Sequence, residues 1–235
     1  MSQVRDRIVV GGALGALILM AWLYTIRAGM DMRFMDAQYA FWMWAVMMVA
    51  MMTPSAGPMV FVFSRVSRSR AGSEASPLGP VVFLLGYLAL WTGFSALAAI
   101  AQTLLGRAMI LSSMGVSTSS TLSATLLIAA GLYQFSPWKY VCLSKCRAPL
   151  GFLLTEWRDG WSGAFLMGLR HGLYCIGCCW LVMTVLFVAG VMNLAWIAAL
   201  TVIVLAERVF PFGKWVSSLT GAAAILCGGW LLIKG

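Results

Sequence analysis

Seven apolar stretches, at about 8–26, 39–63, 80–104, 121–136, 163–189, 191–207 and 215–233, constrain this chain more than any other feature. An α-helix needs roughly 20 apolar residues to cross about 30 Å of hydrocarbon, and most of these stretches reach that length. Composition leads to the same conclusion. The chain is 62% hydrophobic and 10% charged, with a mean hydropathy of +0.92, whereas a soluble domain carries roughly 25% charged residues. It cannot cover its surface in water, so the lipid bilayer is the expected solvent. Inside lipid the backbone must satisfy its own polar groups. The expected fold class is therefore all-α, a polytopic membrane helix bundle of about seven transmembrane helices forming a single integral membrane domain over 1–235.

The opening run, "RIVVGGALGALILMAWLYTI", reads as a first span. It is longer than the roughly 7–15 residues of a signal-peptide core, and no small-residue cleavage site closes it. The fourth stretch is the shortest and starts with Ser and Thr. The fifth and sixth are separated only by "GVMN", a tight turn. The longest intervals are a basic, Ser/Gly/Pro-rich loop over 64–79 and the segment 137–162, where Trp157 and Trp161 suggest an interfacial amphipathic helix.

The net charge of +9 sits between apolar spans and reads as a topology signal. With the N-terminus cytoplasmic, the far side holds only Arg27, Arg33, Arg107 and Lys234. The cytoplasmic side holds Arg65, Arg68, Arg70, Lys139, Lys145, Arg147, Arg208 and others, and this excess favours the orientation. No basic cluster interleaved with aromatics marks a nucleic-acid surface.

"HGLYCIGCCWLVM" places the only histidine and three of six cysteines within one span. At about 100° per residue, His171, Cys175, Cys178 and Cys179 share one helix face, spread along about 12 Å of axis. One ion cannot touch both ends, so the pattern is a ladder that a second helix must complete. Free cysteine also serves as a small core hydrophobe, but a histidine in hydrocarbon is costly and marks function. Arg170 beside it must pair, snorkel or face a cavity, and could supply charge to the thiols.

"FWMWAVMMVAMMTPSAGPMVFVF" in the second span sets Met47, Met48, Met51 and Met52 in a thioether stripe. Methionine is also ordinary core filler. Pro54 and Pro58 remove backbone donors and are expected to loosen the helix. The stripe lies near mid-span, as does the cysteine ladder, and the two are expected to meet. Thiolate and thioether ligands favour Cu(I), while zinc, which imidazole also suits, would leave the methionines unexplained. Cys142 and Cys146 lie one helical turn apart among Lys139, Lys145 and Arg147. Such cations lower a thiol pKa, so the pair reads as an accessible port at the cytoplasmic face. Cys227 reads as packing.

Three segments carry a resemblance: "MMVAMMTPSAGPM" at 47–59, "YQFSPWKYVCLSKCRAP" at 133–149, and "GLRHGLYCIGCCWLVM" with "GVMNLAWIAAL" and "LAERVFPFG" between 168 and 213. Together they resemble the bacterial family of predicted metal-binding integral membrane proteins (domain of unknown function 2182), some members of which are described as copper chaperones. The resemblance implies a multi-pass protein of the bacterial inner (cytoplasmic) membrane. It also implies a metal set of Met47, Met48, Met51, Met52, Cys142, Cys146, His171, Cys175, Cys178 and Cys179. Thr53 stands where an aliphatic residue is expected.

The leading expectation is a membrane-embedded Cu(I)-binding protein acting in copper handling or delivery to a metal-receiving membrane partner. A second is a membrane thiol-disulfide oxidoreductase, because "CIGC" is a C-x-x-C motif. A third is a structural subunit of a larger membrane complex. Hydrolase chemistry is not expected: no carboxylate accompanies His171, and no nucleophile-elbow or metalloprotease motif occurs.

Overall fold

A computed structural model describes residues 2–28, 36–71, 78–112 and 115–234, with side chains from Ile8 onward and that of Ala71 excepted. The elements are α1 (Ser2–Ala28), α2 (Ala37–Ala71), α3 (Gly79–Arg107), α4 (Ser120–Gln134), α5 (Pro137–Arg147), α6 (Pro149–Glu156), α7 (Gly160–Thr184), α8 (Leu186–Ala189), α9 (Leu194–Val209) and α10 (Gly213–Lys234). No strand forms among the described residues; Leu111 and Ser117 make one isolated bridge. Arg33 and residues 72–77 of the expected basic loop lie outside the described residues.

Five helical segments are long and apolar enough to cross a membrane: Ile8–Ala28, Ala37–Arg70, Gly79–Arg107, Gly160–Ala189 and Gly213–Lys234. The expected fourth and sixth spans are helices of 15 and 16 residues, only about 22–24 Å long at 1.5 Å per residue. The 137–162 segment holds two short helices. Trp157 stacks on Phe63 with ring centroids 5.6 Å apart and lies under the Arg70 guanidinium, whereas Trp161 is exposed.

The tight turn at "GVMN" forms as the sequence suggests. Gly190 takes a φ of 98°, where a side chain is strained, and Asn193 caps α9 by accepting from the Ala195 and Trp196 amides. This turn folds α9 back beside α2, α7 and α10.

α3 packs along both α2 and α7, and α4 along α10. Small residues make these approaches possible. A Cβ on Gly86 would run into the Phe165 carbonyl, and one on Gly168 into the Phe83 carbonyl. In the α4–α10 seam, a Cβ on Gly131 would sit 2.7 Å from the Gly221 carbonyl oxygen. Trp44 Nε1 donates to Gln102 Oε1 at 2.7 Å, pinning α2 to α3.

The expected loosening at Pro54 and Pro58 does not occur, because α2 runs unbroken through both. Ala50, Ala56 and Met59 around them are buried, so packing keeps the helix continuous where the prolines supply no donor. Cys227, read from sequence as packing, is exposed on α10 and lines an apolar groove of about 500 Å³ with Val182, Trp196 and Leu200.

Candidate metal centre

The ladder on α7 is buried as a unit: His171, Cys175, Cys178 and Cys179 are each at most 1% exposed. All six cysteines are free thiols. The α7 backbone brings the three sulfurs into one contiguous group. Cys175 Sγ faces α3, where Trp91 Nε1 donates to it at 3.3 Å and the Tyr87 hydroxyl lies at 3.0 Å. Cys178 Sγ and Cys179 Sγ donate to the Cys175 carbonyl oxygen at 3.1 and 3.0 Å, and the Cys179 thiol also contacts those of Cys175 and Cys178.

Against the Cys178 and Cys179 sulfurs sits a side chain whose place in the sequence marks it only as a topology signal. Arg208, at the end of α9, is 6% exposed. Its Nη2 donates to Cys178 Sγ at 3.2 Å, Cys179 Sγ at 3.3 Å and the Cys175 carbonyl oxygen at 3.3 Å. Its Nη1 donates to Ser55 Oγ on α2 at 2.6 Å. One guanidinium thus ties α2, α7 and α9 together around the thiols. The charge expected from Arg170 comes from Arg208 instead, because Arg170 turns outward and pairs with Glu156. The available signal was an ionisable residue closing an apolar helix in "LAERVFPFG".

Cys142 and Cys146, both half-buried, lie against this cluster. Cys142 Sγ packs so close to Gly177 that a Cβ there would lie 2.7 Å from it. Cys146 shares a hydrogen bond with Cys178. The expected depression of their pKa values is overturned. Burial, with the neighbouring Cys178 charge, raises the Cys142 thiol. The Cys178 hydrogen bond, reinforced by burial, holds Cys146 well above the usual thiol range. Two of the cations that should have lowered them are committed elsewhere. Lys139 is fully buried and pairs with Glu207 at 2.7 Å, and Arg147 donates to the Phe210 and Pro211 carbonyls.

Lys139 and Glu207 form the floor beside Arg208. Gln134 donates to Glu207 Oε1 at 3.0 Å and to Thr220 at 2.9 Å, and it accepts from Lys139. Cationic groups here meet the C-terminal ends of α4 and α9, where unpaired carbonyls favour positive charge.

His171 sits in an aromatic box, stacked on Tyr87 at 5.5 Å, with Phe152 at 5.7 Å and Phe83 at 6.0 Å. Its Nδ1 is buried and has no hydrogen-bond partner among the described residues; the same holds for Thr53 Oγ1. Met47, Met48, Met51 and Met52 are each at most 1% exposed and belong to the same apolar cluster as Cys175, Cys178 and Cys179. The hydrogen bonds linking the two helices run through intermediaries. The Tyr87 hydroxyl donates to the Met52 carbonyl at 3.2 Å, and Arg208 reaches Ser55.

Among the described residues, no three His, Cys, Asp or Glu side chains converge in a metal-holding arrangement. The cluster offers pairs of sulfur donors, a buried imidazole nitrogen and surrounding thioethers. That donor set suits a soft ion of low coordination number.

A family model, PpoB2, described as copper chaperone, matches residues 41–231. No curated protein and no solved structure matches the chain. The match begins within the methionine helix α2, runs into α10 and takes in every residue of the cluster. The chain belongs to the PpoB2 copper chaperone family.

Proposed function

We propose that the protein is a membrane carrier of Cu(I) that holds the ion between paired sulfurs and passes it to a metal-receiving partner in the same membrane. The observation that carries this reading is the convergence of Cys146, Cys175, Cys178 and Cys179 from α5 and α7 around Arg208. Cys178 and Cys179 are the central pair. Cys142 and Cys146 on α5 form one flank, and Cys175 with His171 and the methionines forms the other. Neighbouring sites of modest strength suit transfer, since cargo must be able both to enter and to leave. Thiols lose their protons on binding, and those protons pass to solvent.

The proposed topology is seven crossings with a cytoplasmic N-terminus in a bacterial inner membrane, α4 and α9 serving as short spans beside α10. Their ends meet at the thiol cluster, which this topology puts toward the cytoplasm. Reporter fusions at Ser73 and Ser113 test it and are expected on opposite sides.

The test of cargo is anaerobic loading of the reduced, detergent-purified protein with Cu(I) and Zn(II) in competition, followed by elemental analysis. Copper is expected to bind, and the Cys178→Ser/Cys179→Ser variant is expected to lose it. Stoichiometric zinc without copper would overturn the reading.

The Cys146–Cys178 hydrogen bond favours a second reading, thiol–disulfide exchange, because two thiols in contact across helices can reduce a partner's disulfide to two thiols and be left as a disulfide themselves. That reading predicts a mixed disulfide with a partner, trapped in the Cys178→Ser variant and absent from the copper pathway.

A further inference from the structure

Arg208 does more than tie helices together. We infer that it selects the charge of the cargo, making the Cys178–Cys179 site favour monovalent soft ions over divalent ones. This rests on the metal-carrier reading above and adds the class of ion that the site accepts.

The argument is charge counting in a buried place. An ion held by Cys178 and Cys179 displaces two thiol protons and leaves two thiolates. A monovalent ion between them gives a unit of charge −1. The guanidinium, 3.2 and 3.3 Å from the two sulfurs, brings the total to zero. A divalent ion on the same pair gives a neutral unit and leaves Arg208 without a counter-charge, as it is beside two neutral thiols, so only the monovalent ion gains the pairing with the buried guanidinium. A third thiolate would restore neutrality for a divalent ion, but no three His, Cys, Asp or Glu side chains among the described residues are arranged to hold one ion together; Cys146 hydrogen-bonds to Cys178 and Cys175 to Cys179, one at each end of the pair. The carboxylate of Glu207, next to Arg208 in the chain, is engaged by Lys139 and Gln134. Arginine is also the residue type that keeps its charge when buried.

Removing the charge inverts the sum. In Arg208→Gln a bound monovalent ion leaves an uncompensated negative unit, and a divalent ion leaves a neutral one. The experiment uses the full-length protein in detergent. Ag(I) and Cu(I) serve as monovalent probes and Cd(II) as the divalent probe, the last read by its thiolate charge-transfer absorbance. In the native protein, Ag(I) and Cu(I) should bind and Cd(II) should compete weakly. In Arg208→Gln, monovalent affinity should fall and Cd(II) affinity change little, moving their ratio by at least about tenfold, the low end of what one opposite charge at contact contributes. Arg208→Lys should retain the monovalent preference while binding more weakly.

A loss confined to the monovalent probes cannot arise from partial unfolding, which would weaken both. A native protein that binds neither Ag(I) nor Cu(I) would overturn the carrier reading itself. Native binding of Cu(I) with an unchanged selectivity ratio, or with equal losses for both probes, in Arg208→Gln would overturn this inference and leave the carrier reading standing.

Discussion

The Tyr87 hydroxyl lies 3.0 Å from Cys175 Sγ, and this contact joins the aromatic box around His171 to the thiol cluster. The same oxygen reaches the Met52 carbonyl, so one side chain on α3 touches both the cysteine helix and the methionine helix. Tyr87→Phe keeps the ring and removes the bridge. It is expected to cost about 0.5–1.5 kcal/mol, the usual net value of a buried hydrogen bond. Denaturant unfolding in detergent measures it. No change in stability would mean that the hydroxyl does not bridge the helices.

The α3–α7 seam should be the least tolerant of added volume. Gly168→Ala places a methyl group against the Phe83 carbonyl, which belongs to a helix backbone and cannot move alone. Overpacking of this kind costs about 1–3 kcal/mol or more. Gly12→Ala on α1, where a Cβ meets nothing within 4 Å, should be near neutral. Thermal unfolding of the two variants should separate them clearly, and equal midpoints would refute the packing.

The helices, the α8–α9 turn and the shared face of His171, Cys175, Cys178 and Cys179 were legible because helical periodicity and span length are local properties. Arg208 was not, because its meaning depends on which helix α9 folds against. Counting Lys139 and Arg208 as topology signals assumed that basic residues near span ends face water. Here each meets a buried acceptor, Glu207 for one and the thiols for the other. The same assumption misjudged Cys142 and Cys146: nearness in sequence to Lys139 and Arg147 says nothing about where those cations point. The prolines misled for a related reason, since neighbouring helices override the local weakness of α2.

The raised Cys142 pKa has a sign that can be tested. Burial favours its neutral thiol, so alkylation, which requires the thiolate, should be slow and should accelerate only above the ordinary thiol range. Linkage runs the same way. A pKa higher in the folded state gives stability that is complete below the unfolded thiol value and is lost as pH rises through the folded one. Maleimide labelling of a variant that retains Cys142 alone, followed across pH, reads the shift. Labelling that matches or outpaces a free thiol peptide near neutral pH would contradict it.

Lys139 and Glu207 provide the sharpest energetic test, because both are almost fully buried and only 2.7 Å apart. Removing one partner leaves the other charge in an apolar setting, which costs about 3–5 kcal/mol. Lys139→Met and Glu207→Leu should therefore each destabilise strongly. The double variant leaves no orphaned charge and should recover much of the loss, as replacement of a buried ion pair by apolar residues often does. Gln134 and Thr220 remain as a hydrogen-bonded pair in it. Chemical denaturation of the four proteins forms a double-mutant cycle, with an expected coupling at the upper end of the roughly 0.5–3 kcal/mol seen for contacting residues. Additive losses in the double variant would show that the two side chains do not interact, and the floor beneath Arg208 would need another support.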